Sequence, residues 1–333
     1  MRSGSSGRRR SCVKLTFVPV FRTPTPSVSV VICTYALERW PNLVRSVRSA
    51  LDQSPPAHEV IVVVDHNDEL EQRVRDAFPT VVVRPNLGPP GLSDARNAGI
   101  RLAGGDILAF LDDDAIALPG WLADIGRAFR DDSVLGVGGL IEPLWALRRP
   151  AWFPPEFDWV VGCSYRGMPM QGDTIRNVLG ANASFRRTVL ETVGGFRTGL
   201  GRVGTDGLGC EETELCIRAG RRWPQKRFLF RPGAAVQHLV PSERATPMYF
   251  LSRCFAEGIS KSRVARMMGS RHGLASERHY VLWSLPTALV TSLGRFISFR
   301  DSWGAARAGV ILLGLTATTI GYASGRLTVR GSQ

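Results

Sequence analysis

Four short runs of apolar, mostly β-branched residues dominate the first third of the chain, and helix-like segments separate them. The runs are Ser27–Thr34, Glu59–Val64, Thr80–Arg84 and Asp106–Leu111. The segments between these runs begin with polar capping residues and carry apolar residues at helical spacing. They are Pro41–Gln53, Leu70–Ala77 and Ser93–Ala103. Because the apolar runs are continuous rather than alternating, each strand is expected to be buried on both faces. The pattern predicts an α/β fold with a mainly parallel sheet flanked by helices.

The pattern changes after Pro119. Residues from about Gly138 to Arg176 are rich in Trp, Pro and Gly and show no regular period. "NVLGANASFRR" then predicts a strand leading into a helix, and "EETELCIRAG" predicts a helix whose first acids suit its N-terminal dipole. Beyond His238 the chain becomes helical and basic.

Two apolar segments close the chain, "YVLWSLPTALVTSLG" and "AGVILLGLTATTIGYASG". Eighteen residues separate Arg307 from Arg326, which in a helix is about 27 Å, barely the thickness of the hydrocarbon layer. Pro286 interrupts the first segment. The segments therefore predict interfacial helices or a shallow membrane hairpin, with a pair of helices packed on the preceding domain as the alternative.

Charge and cysteine content narrow the class of protein. The 333 residues carry a net charge of +13, and from Arg244 onwards twelve Lys and Arg face three acids. Since these cations accompany apolar helices rather than aromatic platforms, an anionic membrane surface is favoured over nucleic acid. The six cysteines form no Cys-x-x-Cys pair, so reduced thiols and a cytoplasmic location are expected. Residues 1–26 are predicted to be a basic disordered arm.

Carboxylates follow two of the predicted strands at the point where each strand ends. Asp65 ends the second run, and Asp112, Asp113 and Asp114 end the fourth. Ligands of parallel sheets bind beyond the carboxyl ends of the strands, so all four side chains are expected at one rim. One Asp is an ordinary end of a strand, but three adjacent negative charges repel one another. A cation held between them is therefore the favoured explanation.

Seven stretches occur in a fixed order: "VVICTYALERWPNL", "EVIVVVDHND", "RPNLGPPGLSDARNAG", "ILAFLDDDA", "LGANASFRRTVLETVGGF", "CEETELCIRAG" and "AAVQH". Together they resemble the family 2 glycosyltransferases of GT-A fold over about Val28 to His238. The resemblance implies an inverting transfer of sugar from a nucleotide-sugar, with Mg²⁺ or Mn²⁺ as cofactor.

The resemblance also implies roles for particular residues. It places the metal on Asp112 and Asp114, with His238 completing the site. A structural role for His238 is the alternative. For Arg96, the alternative to a phosphate contact is an ion pair with the acidic loop. The residues that would contact the nucleotide-sugar are Thr34, Tyr35, Asp65, Asn86, Arg96, Asp112 and Asp113.

Glu211 and Glu212 stand where the family has a Glu-Asp pair, whose second member is the general base. Glu212 is thus expected to remove the acceptor proton, although it replaces Asp; charges at a helix N-terminus without a catalytic role are the alternative. Arg253 and Lys261, about two helical turns apart, are expected to contact the phosphate of an acceptor.

Other positions depart from the family pattern. Ala36 stands where a polar residue is common, and "DHND" replaces a Gly-Ser-containing acidic loop. A Gln-x-x-Arg-Trp motif is missing, because Ala219 precedes "GRRW". Processive synthesis is therefore disfavoured, and transfer of a single sugar is expected.

The sequence thus predicts a GT-A domain over 27–240, with a nucleotide-binding half (27–118) and an acceptor half (119–240), and a helical membrane-associated region over 241–333. The expected function is transfer from UDP-hexose to a lipid-linked or glycan acceptor at the cytoplasmic face of the cell membrane, in cell-envelope or polysaccharide synthesis, without nucleic acid as partner. The alternatives are a nucleotidyltransferase acting on sugar phosphates and a basic membrane-binding or nucleic-acid-binding protein without catalysis.

Overall fold

A computed structural model describes residues 25–168, 174–202, 208–269 and 275–327 of the chain. The predicted basic arm falls almost entirely on residues 1–24, outside this range. The predicted strands and helices of the first third all form, with ends within about two residues of those predicted.

The first half is a parallel sheet covered by helices. Its elements are β1 (Val28–Thr34), α1 (Trp40–Leu51), β2 (Glu59–Val64), α2 (Asp68–Ala77), β3 (Val82–Pro85), α3 (Leu92–Leu102) and β4 (Ile107–Asp112). The strands lie in the order β3-β2-β1-β4, all parallel. On one face of the sheet, Val31 lies between its strand partners Ile61 and Phe110. On the other face, Ile32 lies between Val62 and Leu111, and all six residues are buried. Burial on both faces confirms the interpretation of the continuous apolar runs.

The second half extends this sheet with strands of both directions. Its elements are β5 (Ala115–Ala117), α4 (Trp121–Ala128), β6 (Val134–Trp145), β7 (Thr174–Ile175), β8 (Asn182–Arg186), α5 (Arg187–Val193), α6 (Glu211–Arg222) and β9 (Arg227–Val240). From β4 the order continues β8-β6-β9-β5, with β7 also on β9. β6 and β9 are parallel, but β5, β7 and β8 pair antiparallel. The expectation of a mainly parallel sheet therefore holds only for the first half, because a continuous apolar run reports burial and not strand direction.

β6 reaches into the stretch from Gly138 to Arg176 that shows no regular period in sequence. Glycines interrupt its apolar pattern, and one of them is required by a close approach of β9. A Cβ at Gly139 would lie 1.9 Å from Ala234 O. The glycine that hides this strand in the sequence is thus what allows it to pair.

The chain ends in a set of helices: α7 (Pro247–Met268), α8 (Ala275–His279), a π-helical turn (Tyr280–Ser284), α9 (Leu285–Ile297) and α10 (Gly304–Leu327). α7 and α10 touch through their backbones, since a Cβ at Gly258 would lie 2.1 Å from Thr318 O and one at Gly321 would lie 2.0 Å from Phe255 O. Phe250 of α7 packs on Phe157 with ring centroids 5.2 Å apart. This region is therefore packed on the sheet domain.

α10 is also, among the described residues, the one helix long and apolar enough to cross a membrane, and only 28% of its apolar window is buried. Large apolar side chains are exposed on α10, on α9, on the π-helical turn before α9 and just after α9: Leu282, Trp283, Val290, Ile297, Phe299, Leu312, Leu313 and Ile320. The helices therefore pack on the protein on one side, as one of the two sequence interpretations expects, and leave the other side apolar and exposed. Association of that side with a membrane stays a prediction.

Candidate active site

The rim at the carboxyl ends of β1, β2 and β4 carries the first group of predicted residues. Asp65 lies at this rim, but both of its oxygens already accept hydrogen bonds. Asn86 Nδ2 donates to Asp65 Oδ1 at 2.7 Å, and Gly91 N donates to Asp65 Oδ2 at 2.8 Å. Asp65 therefore fixes the loop between β3 and α3, while the neighbouring Tyr35 is exposed.

The three consecutive aspartates have three different surroundings. Asp112 is the most accessible, with 30% of its side chain exposed. Asp113 is buried; it accepts from Thr34 Oγ1 at 2.8 Å and pairs with Arg39. Burial raises the pKa of Asp113 to about 6 against the opposing charge of Arg39. Asp113 is thus held by protein groups.

Asp114 is buried between His238 and Arg39. His238 Nε2 lies 3.0 Å from Asp114 Oδ1, and Arg39 Nη2 lies 2.7 Å from Oδ2. Burial opposes ionisation, but the charge and hydrogen bond of His238 and the charge of Arg39 hold the pKa of Asp114 well below its usual range. Asp114 is therefore a carboxylate at neutral pH.

Sheet pairing brings His238 to the aspartates. On β9, His238 pairs with Ala115 of β5 in antiparallel register, next in sequence to Asp114. Asp112, Asp114 and His238 each offer one ligand atom, and these atoms lie within 4.8 Å of one another. Two carboxylate oxygens and one imidazole nitrogen suit Mg²⁺ or Mn²⁺. The donor set therefore fits the metal that the sequence predicts.

Arg96 connects Asp112 to the predicted base. Only 3% of its side chain is exposed, and it lies 3.2 Å from Asp112 Oδ1, 3.1 Å from Glu211 Oε1 and 3.3 Å from Glu212 Oε1. The structure therefore shows the ion pairing that the sequence left as the alternative for Arg96. Its contact with phosphate stays a prediction.

Glu211 and Glu212 open helix α6 and differ in accessibility. The side chain of Glu211 is 4% exposed and that of Glu212 is 14% exposed. Burial and the neighbouring charge of Glu211 raise the pKa of Glu212 to about 8, with Arg96 acting in the other direction. A carboxylate with a raised pKa is a stronger base, so Glu212 suits proton abstraction near neutral pH.

One cavity of about 600 Å³ joins most of the predicted groups. Its lining includes Asp112, His238, Glu211 and Glu212 at one end. It also includes Arg253 and Lys261 of α7. Thr34, Tyr35, Asp65 and Asn86 lie along the sheet rim and, like the buried Asp113 and Asp114, do not line it. The predicted site residues thus divide into a rim group and a cavity group.

Some charged residues near this site were missed by sequence reasoning. Arg39 contacts both Asp113 and Asp114, and Arg244 lies 3.7 Å from Asp114 Oδ2. Glu257 and Glu277 pair with Lys261. Single Arg and Glu residues carry no spacing signal, so only the folded arrangement identifies them.

The profile of Glycosyl transferase family 2 matches residues 29–194. A glucosyl-dolichyl phosphate glucuronosyltransferase of Haloferax volcanii is 37% identical over 238 residues, which are 70% of this chain and 76% of that protein. The chain belongs to glycosyltransferase family 2. Family membership makes it a glycosyltransferase and sets aside the nucleotidyltransferase and the non-catalytic alternatives.

Further proteins similar to this family 2 glycosyltransferase include a second relative in sequence and two solved structures. The succinoglycan biosynthesis protein ExoM of Rhizobium meliloti is 26% identical over 260 residues, 75% of this chain and 78% of that protein. The mannosyltransferase PcManGT of Pyrobaculum calidifontis, solved with GDP-Man and Mn²⁺, superposes with a TM-score of 0.57 at 17% identity, covering 90% of this chain and 88% of that chain. GalNAc-T7, solved with UDP, GalNAc and Mn²⁺, gives a TM-score of 0.51 at 18% identity, over 71% of this chain and 48% of that chain. These likenesses confirm the GT-A fold.

Proposed function

We propose that this glycosyltransferase moves one hexose, with inversion, from a UDP-sugar to a hydroxyl of a lipid-linked glycan. The observation that carries the proposal is the cavity in which Asp112, His238 and Glu212 meet. Two carboxylates and an imidazole on one side and a basic carboxylate on the other are what a metal-dependent inverting transfer requires.

Asp112, Asp114 and His238 would hold the metal. When bound, Mg²⁺ or Mn²⁺ neutralises the negative charge of the leaving diphosphate. Asp113 would fix the loop that carries Asp112 and Asp114, since Thr34 and Arg39 hold the Asp113 carboxylate in place. The same proposal includes contacts with the nucleotide-sugar donor from Thr34, Tyr35, Asp65, Asn86, Arg96, Asp112 and Asp113.

Glu212 is the proposed general base. Its carboxylate takes the proton of the acceptor hydroxyl as the hydroxyl oxygen attacks the anomeric carbon from the face opposite to the diphosphate. The bond from carbon to the diphosphate oxygen breaks, and its electron pair leaves with the nucleotide, which inverts the configuration. Arg96 orients Glu212 through its contact at 3.3 Å. Glu211 is more deeply buried and is the second choice.

Two findings support a lipid-linked acceptor at a membrane. The Haloferax volcanii relative is named for a glucosyl-dolichyl phosphate substrate, and α9 and α10 expose apolar side chains beside basic residues such as Arg295 and Arg300. Each basic residue near an anionic surface contributes about 1 kcal/mol of attraction. The proposal also includes association with the cytoplasmic face of the cell membrane and a role in cell-envelope or polysaccharide synthesis. It divides the chain into a nucleotide-binding half (27–118), an acceptor half (119–240) and a membrane-associated region (241–333).

A donor screen tests the proposal. The full chain is mixed with Mn²⁺ and a panel of UDP-, GDP- and dTDP-sugars, and thermal unfolding is followed. We expect a UDP-hexose to stabilise the wild-type protein and to leave Asp114→Asn unchanged. NMR of the product made from that donor should show an inverted anomeric centre. Stabilisation by GDP- or dTDP-sugars alone, or a retained anomeric configuration, contradicts the proposal.

A further inference from the structure

The cavity that holds the catalytic carboxylates continues beyond them towards the C-terminal helices. The residue before Glu211 is Cys210, whose Sγ lies 3.6 Å from Glu257 Oε1 on α7. Glu257 in turn lies 3.1 Å from Lys261 Nζ. A polar path therefore leads from the start of α6 to the middle of α7.

Lys261 belongs to a cluster of ion pairs in the cavity wall. Lys261 Nζ donates to Glu277 Oε1 at 2.6 Å, and Arg176 donates to both oxygens of Glu277 at 2.8 and 3.0 Å. This cluster joins α7, α8 and the segment before β8. Other cations also line the cavity, namely Arg202, Arg244, Arg253 and Arg278. Since cations outnumber carboxylates in this lining, the cavity favours an anionic ligand.

Beyond the cluster the lining becomes largely apolar. The helix that carries Glu277 continues into Tyr280, Val281, Leu282 and Leu285, and α10 adds Leu315, Thr318, Thr319 and Tyr322. Leu282 is 65% exposed and Thr319 is exposed, so the cavity reaches the surface here. The neighbouring Trp283 is exposed too. The open end of the cavity is thus apolar and continuous with the apolar outer face of α9.

We propose that this half of the cavity binds the lipid phosphate that carries the acceptor sugar. The hydrocarbon chain enters between the π-helical turn and α10, the phosphate lies beside Arg253 and Lys261, and the sugar reaches Glu212. An amphiphile with its anionic group between sugar and chain matches the order of carboxylate, cation and apolar lining along the cavity. The inference rests on the proposed function and gives its acceptor a chemical class and a place.

Direct binding of farnesyl phosphate to the full chain, measured by titration calorimetry without donor, tests the inference. We expect farnesyl phosphate to bind at least tenfold more tightly than farnesol and than inorganic phosphate, because the site needs both the charge and the chain. Equal affinity for farnesol, or equal affinity for inorganic phosphate, overturns it.

Two matched tryptophan variants locate the chain. Thr319 and Thr316 are both exposed on α10, but only Thr319 lines the cavity. Thr319→Trp should fill the apolar end of the cavity and weaken the binding of farnesyl phosphate at least tenfold. The affinity of Thr316→Trp for farnesyl phosphate should stay within twofold of the wild type. Unchanged binding in Thr319→Trp, or the same loss in both variants, rules the location out.

A second pair locates the phosphate. Arg253→Gln should weaken the binding of farnesyl phosphate about tenfold and leave the binding of farnesol unchanged. Arg266 is an exposed residue of the same helix that does not line the cavity, so Arg266→Gln should change neither affinity. Equal effects of the two variants refute the phosphate position. Donor-dependent thermal stabilisation with UDP and Mn²⁺ is measured separately. Its absence refutes the proposed function, whereas loss of farnesyl phosphate selectivity with that stabilisation intact refutes only this inference.

Discussion

Asp112 and Glu212 share one buried guanidinium, that of Arg96, although they stand far apart in the sequence. Arg96 lies 3.2 Å from the first and 3.3 Å from the second. The strand end that would hold the metal and the helix start that would hold the base are therefore fixed relative to each other. Such preorganisation favours an in-line transfer, which depends on the geometry between base and leaving group.

The metal cluster gives the first prediction. Asp114→Asn removes one carboxylate of the three-residue donor set, so activity with Mn²⁺ should fall at least about 100-fold. Radioactive sugar transfer to a lipid extract measures the loss. Asp132→Asn, a change at a nearly fully exposed carboxylate, is the control and should keep wild-type activity. Full turnover in EDTA contradicts the metal assignment.

The base gives the second prediction. Glu212→Gln preserves shape but removes basicity, so kcat should drop by about 10² to 10⁴ with donor affinity nearly unchanged. Steady-state kinetics and donor-dependent thermal shifts separate the two quantities. Glu211→Gln is the matched control with the same chemistry one residue away. If that variant shows the large loss instead, Glu211 is the base.

The raised pKa of Glu212 gives a third prediction. A base must be deprotonated, so wild-type kcat should rise with pH up to about 8 and then level. Stability should change in the opposite sense. The folded state binds the proton more tightly than the unfolded state, so this contribution to stability is present below about pH 4.5 and is lost as pH rises through about 8.

Thermal unfolding measures this linkage. Glu212→Gln should be more stable than the wild type at pH 9 and should lose that advantage at pH 4. A constant difference between the two proteins across this range contradicts the raised pKa.

The contact between α7 and α10 gives the fourth prediction. Gly258→Ala puts a methyl group 2.1 Å from Thr318 O, so the helices must separate, at a cost of about 1 to 3 kcal/mol in the free energy of unfolding. Gly309→Ala on α10 meets nothing within 4 Å and should stabilise by about 0.5 kcal/mol, because alanine favours helix. Denaturant unfolding compares the two, and equal effects refute the close contact.

Membrane association gives the fifth prediction. Trp283→Ser combined with Phe299→Ser removes two exposed aromatic side chains, so binding to anionic vesicles should weaken at least tenfold. Sedimentation with vesicles at two salt concentrations measures it, and retention on DNA under the same conditions should be low. Leu87→Ser, which changes an 89% exposed side chain in the loop after β3, is the control. Binding unaffected by the double change contradicts a role for this face.

Sequence reasoning reached the first four strands and the aspartates proposed to hold the metal because both depend on local signals. A continuous apolar run predicts a buried strand, and Asp112 and Asp114 follow directly from the end of one. His238 was found only through the family resemblance. Its approach to Asp114 depends on the antiparallel register of β5 and β9, which no local pattern records.

The roles of Arg96 and Arg39 illustrate the part that sequence could not supply. An arginine in a phosphate-binding motif can face the ligand or its own protein, and the sequence is the same in both cases. Only the folded chain brings the start of α6 within reach of Arg96, which contacts Glu211 and Glu212 there. The long strands β6 and β9 were missed because glycine and proline break their apolar pattern.

The backbone contact of α7 with α10 bears on how this enzyme can be re-engineered. A membrane anchor that is tethered by a flexible linker can be exchanged for another without regard to the domain it carries. Here Phe250 packs on Phe157, and Glu277 pairs with Arg176 from the sheet domain. A chimaera that grafts the C-terminal helices of one relative onto another must therefore exchange these partners together, and truncation is a poor way to obtain a smaller catalyst.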